Sequence, residues 1–183
     1  PENQVLSQWE QAATLVREHA FLYERFGGGY STDPATFTQE LEDLLRVRQQ
    51  LKPEKATGNA TFNSLLKAKM EADVDFYALA YLQRNAGNLS DTIRLSNYYQ
   101  KMQPEKTLQQ PALLQLPYAG EMLRTYVWYK YGDPIELREA FKYKSTCLID
   151  STFQQHYLYN EIRRFRYYEQ YKQLIDSVGK TFF

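Results

Sequence analysis

The sequence predicts an all-α fold, an irregular bundle of about seven helices. Apolar residues recur at alternating steps of three and four, which places them on one face of a helix. Gly and Pro are few, 8 and 7 among 183 residues, so they divide the chain into long uninterrupted segments without a strand pattern. A chain of this length can bury a substantial core, and we expect a single domain over residues 1–183.

The first two helices are predicted from this spacing and from strong boundary residues. The first helix ends at Gly27–Gly29, where three glycines favour a turn. Asp33 and Pro34 then form a cap and a first helical residue, and the second helix continues to Pro53. The residues predicted to share the apolar face of the first helix are Val5, Trp9, Ala12, Val16, His19, Tyr23 and Phe26. Those of the second are Phe37, Leu41, Leu44, Arg48 and Leu51.

The middle of the chain predicts one long helix and one short helix. The long helix covers about Thr61 to Arg84, and Ser90 caps a shorter one that Pro104 closes. Residues 103–116 have no clear period and are expected to form a short turn, with Leu113, Leu114 and Leu116 buried.

The last third predicts three further helices. They cover Tyr118 to Tyr131, Ile135 to about Lys144 after the cap at Asp133, and about Ser151 to Ser177. The last is the longest periodic stretch, with an apolar stripe that begins at Leu158, Ile162 and Phe165.

Composition narrows the classes of function. Twenty-two basic and 22 acidic residues leave no net charge, which argues against a nucleic-acid partner. Cys147 is the only cysteine, so neither an intrachain disulfide nor a multi-thiolate metal site is expected. No run of about 18 apolar residues predicts a membrane span.

Candidate catalytic or metal-binding residues are sparse. His19 and His156 are the only histidines, and neither has a carboxylate at the spacing of a zinc motif. Glu71 and Asp75 share a helical face, where two carboxylates can bind a cation or transfer protons. With Asp73 they are interpreted instead as a solvated face whose counter-charges are Lys67 and Lys69. No catalytic residue, cofactor or metal site is predicted.

The final helix carries the predicted interaction face. Its members are spaced by four, three and four, and they combine aromatic and guanidinium groups that can grip a protein or stack on a sugar. They are Tyr159, Arg163, Arg166 and Gln170. The alternative is Tyr–Arg packing within the helix and no ligand. In the pair Tyr98-Tyr99, side chains point about 100° apart, so at most one is expected to face the core.

Two stretches resemble a known family. Glu71 to Gln83, EADVDFYALAYLQ, and Leu113 to Tyr131, LLQLPYAGEMLRTYVWYKY, are similar to the helical region ahead of the thioredoxin fold in some secreted or periplasmic thiol-disulfide oxidoreductases of Gram-negative bacteria. The resemblance implies a periplasmic or cell-envelope protein whose redox work lies in a Cys-x-x-Cys pair. This chain has no such pair, so the resemblance implies an accessory part, with residues 178–183 as the junction to a C-terminal domain.

The expected function is therefore that of a non-catalytic accessory or interaction domain, whose partner is a linked or separate protein domain. The first alternative is a free-standing module that binds glycans or proteins through exposed Tyr and Trp such as Trp128. The second is an enzyme, which would need a cleft that gathers His19, His156 or the Glu71–Asp75 pair.

Overall fold

A computed structural model of the chain describes residues 2–21, 33–85, 97–132 and 150–165, with the single positions 140, 142, 143, 148, 172 and 176. These residues form seven α-helices, two short 3₁₀ helices and no strand, which confirms the all-α fold. The α-helices are α1 (Glu2–Phe21), α2 (Pro34–Leu51), α3 (Ala60–Arg84), α4 (Asn97–Lys101), α5 (Pro104–Thr107), α6 (Ala119–Tyr131) and α7 (Ser151–Phe165). The 3₁₀ helices are Pro53–Lys55 and Pro111–Gln115.

The chain clusters into two compact units, Pro1–Leu113 and Leu114–Phe183. The single domain expected over residues 1–183 stays a prediction. None of the helices in the described part of the chain is long and apolar enough to cross a bilayer.

The first unit is built around α3, which contacts α1, α2, α5 and the first 3₁₀ helix. Phe37 of α2 stacks on Tyr81 of α3, with ring centroids 3.9 Å apart and the planes within 8°. From Ala72 to Tyr81 every residue of α3 is buried, as expected for a helix that is covered all round. The helix therefore presents different buried groups to different neighbours.

Two helices begin at side chains that cap their first turn. Asp33 Oδ1 accepts hydrogen bonds from the backbone N–H groups of Ala35 (3.0 Å) and Thr36 (3.1 Å), and Pro34 is the first residue of α2. Asn59 Oδ1 accepts from the Phe62 N–H at 3.0 Å, so α3 begins one residue before the predicted Thr61. In both helices a local side chain satisfies N–H groups that a helix leaves unpaired.

The buried face of α1 differs from the predicted one. Trp9 and Val16 are buried as expected, but Ala13 and Ala20 complete the face, whereas Ala12 and His19 are half-buried. Small residues at these contacts let helices approach closely. His19 lies at the margin instead, with Nδ1 2.8 Å from Glu40 Oε2.

Residues 103–116 are more regular than predicted. Pro104 begins the one-turn helix α5, because the first turn of a helix does not need the N–H that proline lacks. Leu113 and Leu116 are buried as predicted, whereas Leu114 is half-buried.

The second unit contains α6 packed against α7. A Cβ atom on Gly120 would lie 1.4 Å from Asn160 Nδ2, so glycine permits this close approach. Glu161 is fully buried within the predicted apolar stripe of α7, 3.3 Å from Arg124 Nε and 3.5 Å from an Arg164 terminal nitrogen. Apart from a few single positions, the helices predicted over 135–144 and beyond Phe165, Cys147 and the junction 178–183 lie outside the described residues.

Candidate functional site: a charged groove in the first unit

The candidate site is an open groove of about 540 Å³ between α2, α3 and the segment from Tyr98 to Gln110. Its volume lies within the range of sites that hold small molecules or short peptide segments. Leu45, Val74 and Met102 form an apolar part of the lining. The charged residues of the lining are Glu42, Arg48, Glu71, Asp75, Lys101 and Lys106.

Asp75 is the buried carboxylate of this groove and is only 5% exposed. The Tyr98 hydroxyl donates a hydrogen bond to Asp75 Oδ1, and the Thr107 hydroxyl donates one to Oδ2. Burial raises the pKa of Asp75, and the charge of Glu71 adds to this rise, while the two hydroxyls and Arg48 oppose it without cancelling it. The carboxylate is thus held by neutral donors, and its charge remains costly.

Tyr98 and Tyr99 are both half-buried, and the hydroxyls of both reach α3. The prediction that at most one of them faces the core stays a prediction. Burial, together with the negative charge of Asp75, raises the pKa of Tyr98 well above its ordinary value, so its hydroxyl remains a donor. The Tyr99 hydroxyl donates to the Ala78 carbonyl oxygen at 3.0 Å. A tyrosine side chain is long enough for both hydroxyls to find acceptors on one neighbouring helix.

The other charged residues of the groove differ in whether a described residue contacts them. Gln110 Nε2 donates to Glu71 Oε2 at 3.0 Å. In contrast, the side chains of Arg48, Lys101 and Lys106 form neither an ion pair nor a hydrogen bond with any described residue. As far as the described residues show, the lining thus contains three cationic side chains that make neither contact.

The prediction that the acidic cluster forms a solvated face is wrong. Asp73 is fully buried, and it accepts hydrogen bonds from Trp9 Nε1–H and from Lys69 Nζ, both at 2.8 Å. Lys69 also lies 3.0 Å from Glu10 Oε1, while Lys67 is exposed. The interpretation failed because the elements packed around α3 cover both of its acidic faces.

The predicted interaction face on α7 is only partly described. Tyr159 and Arg163 are exposed, and the Arg163 guanidinium lies 5.7 Å from the centroid of the Tyr159 ring, which is the intrahelical packing given as the alternative. Arg166 and Gln170 lie outside the described residues, so the face as a whole stays a prediction. Neither Tyr159 nor Arg163 lines the groove.

Potential metal ligands are not gathered in the described part of the chain. No group of three or more His, Cys, Asp or Glu side chains there has a geometry that could hold a metal ion. His156 is exposed on α7, and His19 lies beside Glu40. Of the candidate catalytic groups, the groove brings together only Glu71 and Asp75.

Sequence reasoning missed Arg48, Tyr98 and Thr107 as members of this site. Tyr98 and Thr107 are 23 and 32 residues from Asp75, which is too far for any helical spacing to connect them. The available signal was the acidic pair Asp73 and Asp75 inside a strongly apolar run. Acidic side chains in such an apolar run need buried hydrogen-bond donors. The sequence of the run does not show which residues donate.

Comparison with known proteins gave no match to a family model, a curated protein or a solved structure. The resemblance to helical regions ahead of thioredoxin folds therefore stays a prediction. Its first stretch, Glu71–Gln83, lies in α3 and supplies Glu71 and Asp75, two of the three carboxylates that line the groove. Its second stretch, Leu113–Tyr131, covers most of the second 3₁₀ helix and all of α6.

Proposed function

We propose that the chain is a non-catalytic interaction domain, the helical accessory part of a cell-envelope protein that also carries a thioredoxin-like domain. One observation supports the interaction role most strongly. The groove combines three cationic side chains that have no ion pair in the described structure with carboxylates that the chain itself satisfies. Such a surface suits the capture of a ligand from outside the domain.

The geometry favours binding over acid–base chemistry. A proton-transfer pair needs one carboxylate free to exchange a proton with a substrate. Both oxygens of Asp75 accept hydroxyl hydrogen bonds, and Glu71 accepts from Gln110. Neither histidine lines the groove, so the residue type that most often transfers protons is missing from its lining.

The accessory role is tested first by reading the coding sequence beyond Phe183. We expect the same frame to continue into a thioredoxin-like domain with a Cys-x-x-Cys pair. A stop codon at or close to Phe183 would contradict the accessory role.

The positioning role is tested on the whole protein by comparing two substrates. Arg48→Gln should raise the KM for reduction of a folded disulfide protein, because the groove would present that substrate to the thioredoxin-like domain. It should leave the reduction of a small aromatic disulfide unchanged. Lys67→Gln is the control, since Lys67 is an exposed cation of α3 that is absent from the groove lining. Equal effects of Arg48→Gln on both substrates would argue against positioning.

A second candidate function, glycan binding, is favoured by the exposed tyrosines of the second unit. Tyr129, Tyr131 and Tyr159 are 41%, 44% and 50% exposed, and Tyr131 stacks nearly parallel on Tyr143 with centroids 5.3 Å apart. Aromatic faces pack well against sugar rings. When a panel of glycans is titrated into the protein, a glycan that binds should therefore change the tryptophan fluorescence. Trp9 is fully buried, so the change should report on the half-buried Trp128 and disappear in Trp128→Phe. A flat response across the panel counts against this candidate.

A further inference from the structure

We infer that the groove binds a short acidic peptide segment of a partner protein, with Arg48, Lys101 and Lys106 as the groups that receive its carboxylates. The inference rests on the proposed interaction role and names the chemistry of the partner. It depends on three features of the groove: cations that form no ion pair with a described residue, the make-up of the rest of the lining, and the different positions of the cations.

Charge complementarity is the first step. Asp75 is satisfied by two hydroxyls, Glu71 by the Gln110 amide, and Glu42 lies 3.9 Å from an Arg46 nitrogen. The three cations of the lining form no ion pair or hydrogen bond with a described residue, and Arg48 acts at longer range on Asp75. A ligand carboxylate would supply acceptors to these cations, whereas a basic ligand would meet carboxylates that already have a hydrogen-bonded or charged partner.

The rest of the lining favours a peptide over a compact polyanion. Glu42 and Glu71 would repel a phosphate group that carries two charges, but they tolerate a segment whose carboxylates are spaced apart. Leu45, Val74 and Met102 offer apolar contact to a neighbouring side chain of the ligand. Met and Arg are both enriched at protein interfaces, because Met adapts its shape and Arg combines charge with a flat surface.

The three cations have different positions and therefore different expected roles. Arg48 is half-buried on α2, lines the groove, and its positive charge acts on the Asp75 carboxylate. A guanidinium there can hold a carboxylate with two parallel hydrogen bonds. Lys101 and Lys106 are exposed. Exposed lysines attract an acidic segment over a longer distance, in a manner that salt screens.

The test is calorimetric titration of the full chain with a blocked hexapeptide of alternating Leu and Glu. The control ligand is the same peptide with Gln in place of Glu, and inorganic phosphate is a third arm. We expect the Glu peptide to bind at least about tenfold more tightly than the Gln peptide, since a charge-assisted hydrogen bond contributes on that scale. Phosphate should neither bind measurably nor compete. Phosphate that displaces the peptide at equal concentration overturns the assignment to a peptide.

The protein variants locate the site. Arg48→Gln should lower the affinity for the Glu peptide about tenfold, and Arg48→Lys should lower it less. The double variant Lys101→Gln/Lys106→Gln should mainly make the affinity depend less on the salt concentration. Lys67→Gln should leave binding unchanged because Lys67 is an exposed cation of α3 that does not line the groove. Far-UV circular dichroism verifies that each variant is folded, and Arg48 forms no ion pair in the described structure whose loss would unfold the domain.

The outcomes separate this inference from the proposed function. Three results overturn the assignment of the groove. They are equal affinity for the two peptides, no binding of either peptide, and an affinity for the Glu peptide that Arg48→Gln does not change. These results leave the accessory role untouched. A reading frame that ends near Phe183 has the opposite effect, because it removes the accessory role and leaves the groove assignment intact.

Discussion

Asp73 and Asp75 lie two residues apart on α3, on opposite faces of the helix, and they are buried in different ways. On one face, Asp73 accepts from the Trp9 indole N–H and from the Lys69 ammonium. On the other, Asp75 is held by the hydroxyls of Tyr98 and Thr107 beside an open groove. The difference teaches that one helix can carry a buried carboxylate that faces an ammonium and another that is held only by neutral hydroxyls.

On its face of α3, Asp73 forms a structural ion pair with Lys69. Burial lowers the pKa of Lys69, but attraction to Asp73 and hydrogen bonds to Asp73 and Glu10 outweigh it, so the pKa is raised overall. The ammonium therefore stays charged at neutral pH. Removing one member of such a pair is costly because the other charge stays buried.

The largest expected effect is that of Lys69→Met. The variant removes the ammonium that faces the buried Asp73 carboxylate, and we expect the free energy of unfolding to fall by about 3 kcal/mol. Urea denaturation followed by circular dichroism measures this change. Lys67→Met, at an exposed position of the same helix, should change it by less than about 0.5 kcal/mol. Similar effects of the two variants would show that the Asp73 face is not a structural pair.

An intermediate effect is expected at the adjacent tyrosines. Tyr98→Phe removes a hydrogen bond to a carboxylate and should cost about 2 kcal/mol, whereas Tyr99→Phe removes one to the Ala78 carbonyl and should cost about 1 kcal/mol. The same denaturation assay compares the two variants. A larger cost for Tyr99→Phe would mean that Asp75 does not depend on its hydroxyl donors.

The smallest effect, and one of opposite sign, is expected for Asp75→Asn. Because burial raises the pKa of Asp75 above 3.8, the unfolded chain releases this proton first as the pH rises, and the folded state loses stability up to its own pKa. The loss persists at neutral pH and vanishes below about pH 3.8, where both states are protonated.

At neutral pH, Asp75→Asn should therefore raise the free energy of unfolding, and this gain should vanish in acid. Urea denaturation at about pH 7 and about pH 3.5 measures both values. A loss of stability at neutral pH would instead place Asp75 with Asp73 as a carboxylate that stabilises the fold.

The features predicted from the sequence are those that depend on neighbouring residues. Asp33 and Asn59 cap helices within their own first turn, so α2 and α3 could be placed to within about one residue. The depth at which Asp73 and Asp75 are buried could not be predicted, since it depends on which elements cover α3. The groove was missed for the same reason, because Thr107 meets Asp75 only after the chain has folded back across 32 residues.

The most direct test follows the backbone amide signals of the labelled protein by NMR while the Leu–Glu peptide is added. We predict shifts that cluster on the groove face of α3 and its surroundings, at residues such as Arg48, Asp75 and Thr107, with little change around Trp9 and Asp73. Shifts centred on the Trp9–Asp73 face, or confined to residues 114–183, would contradict the distinction between the two faces of α3.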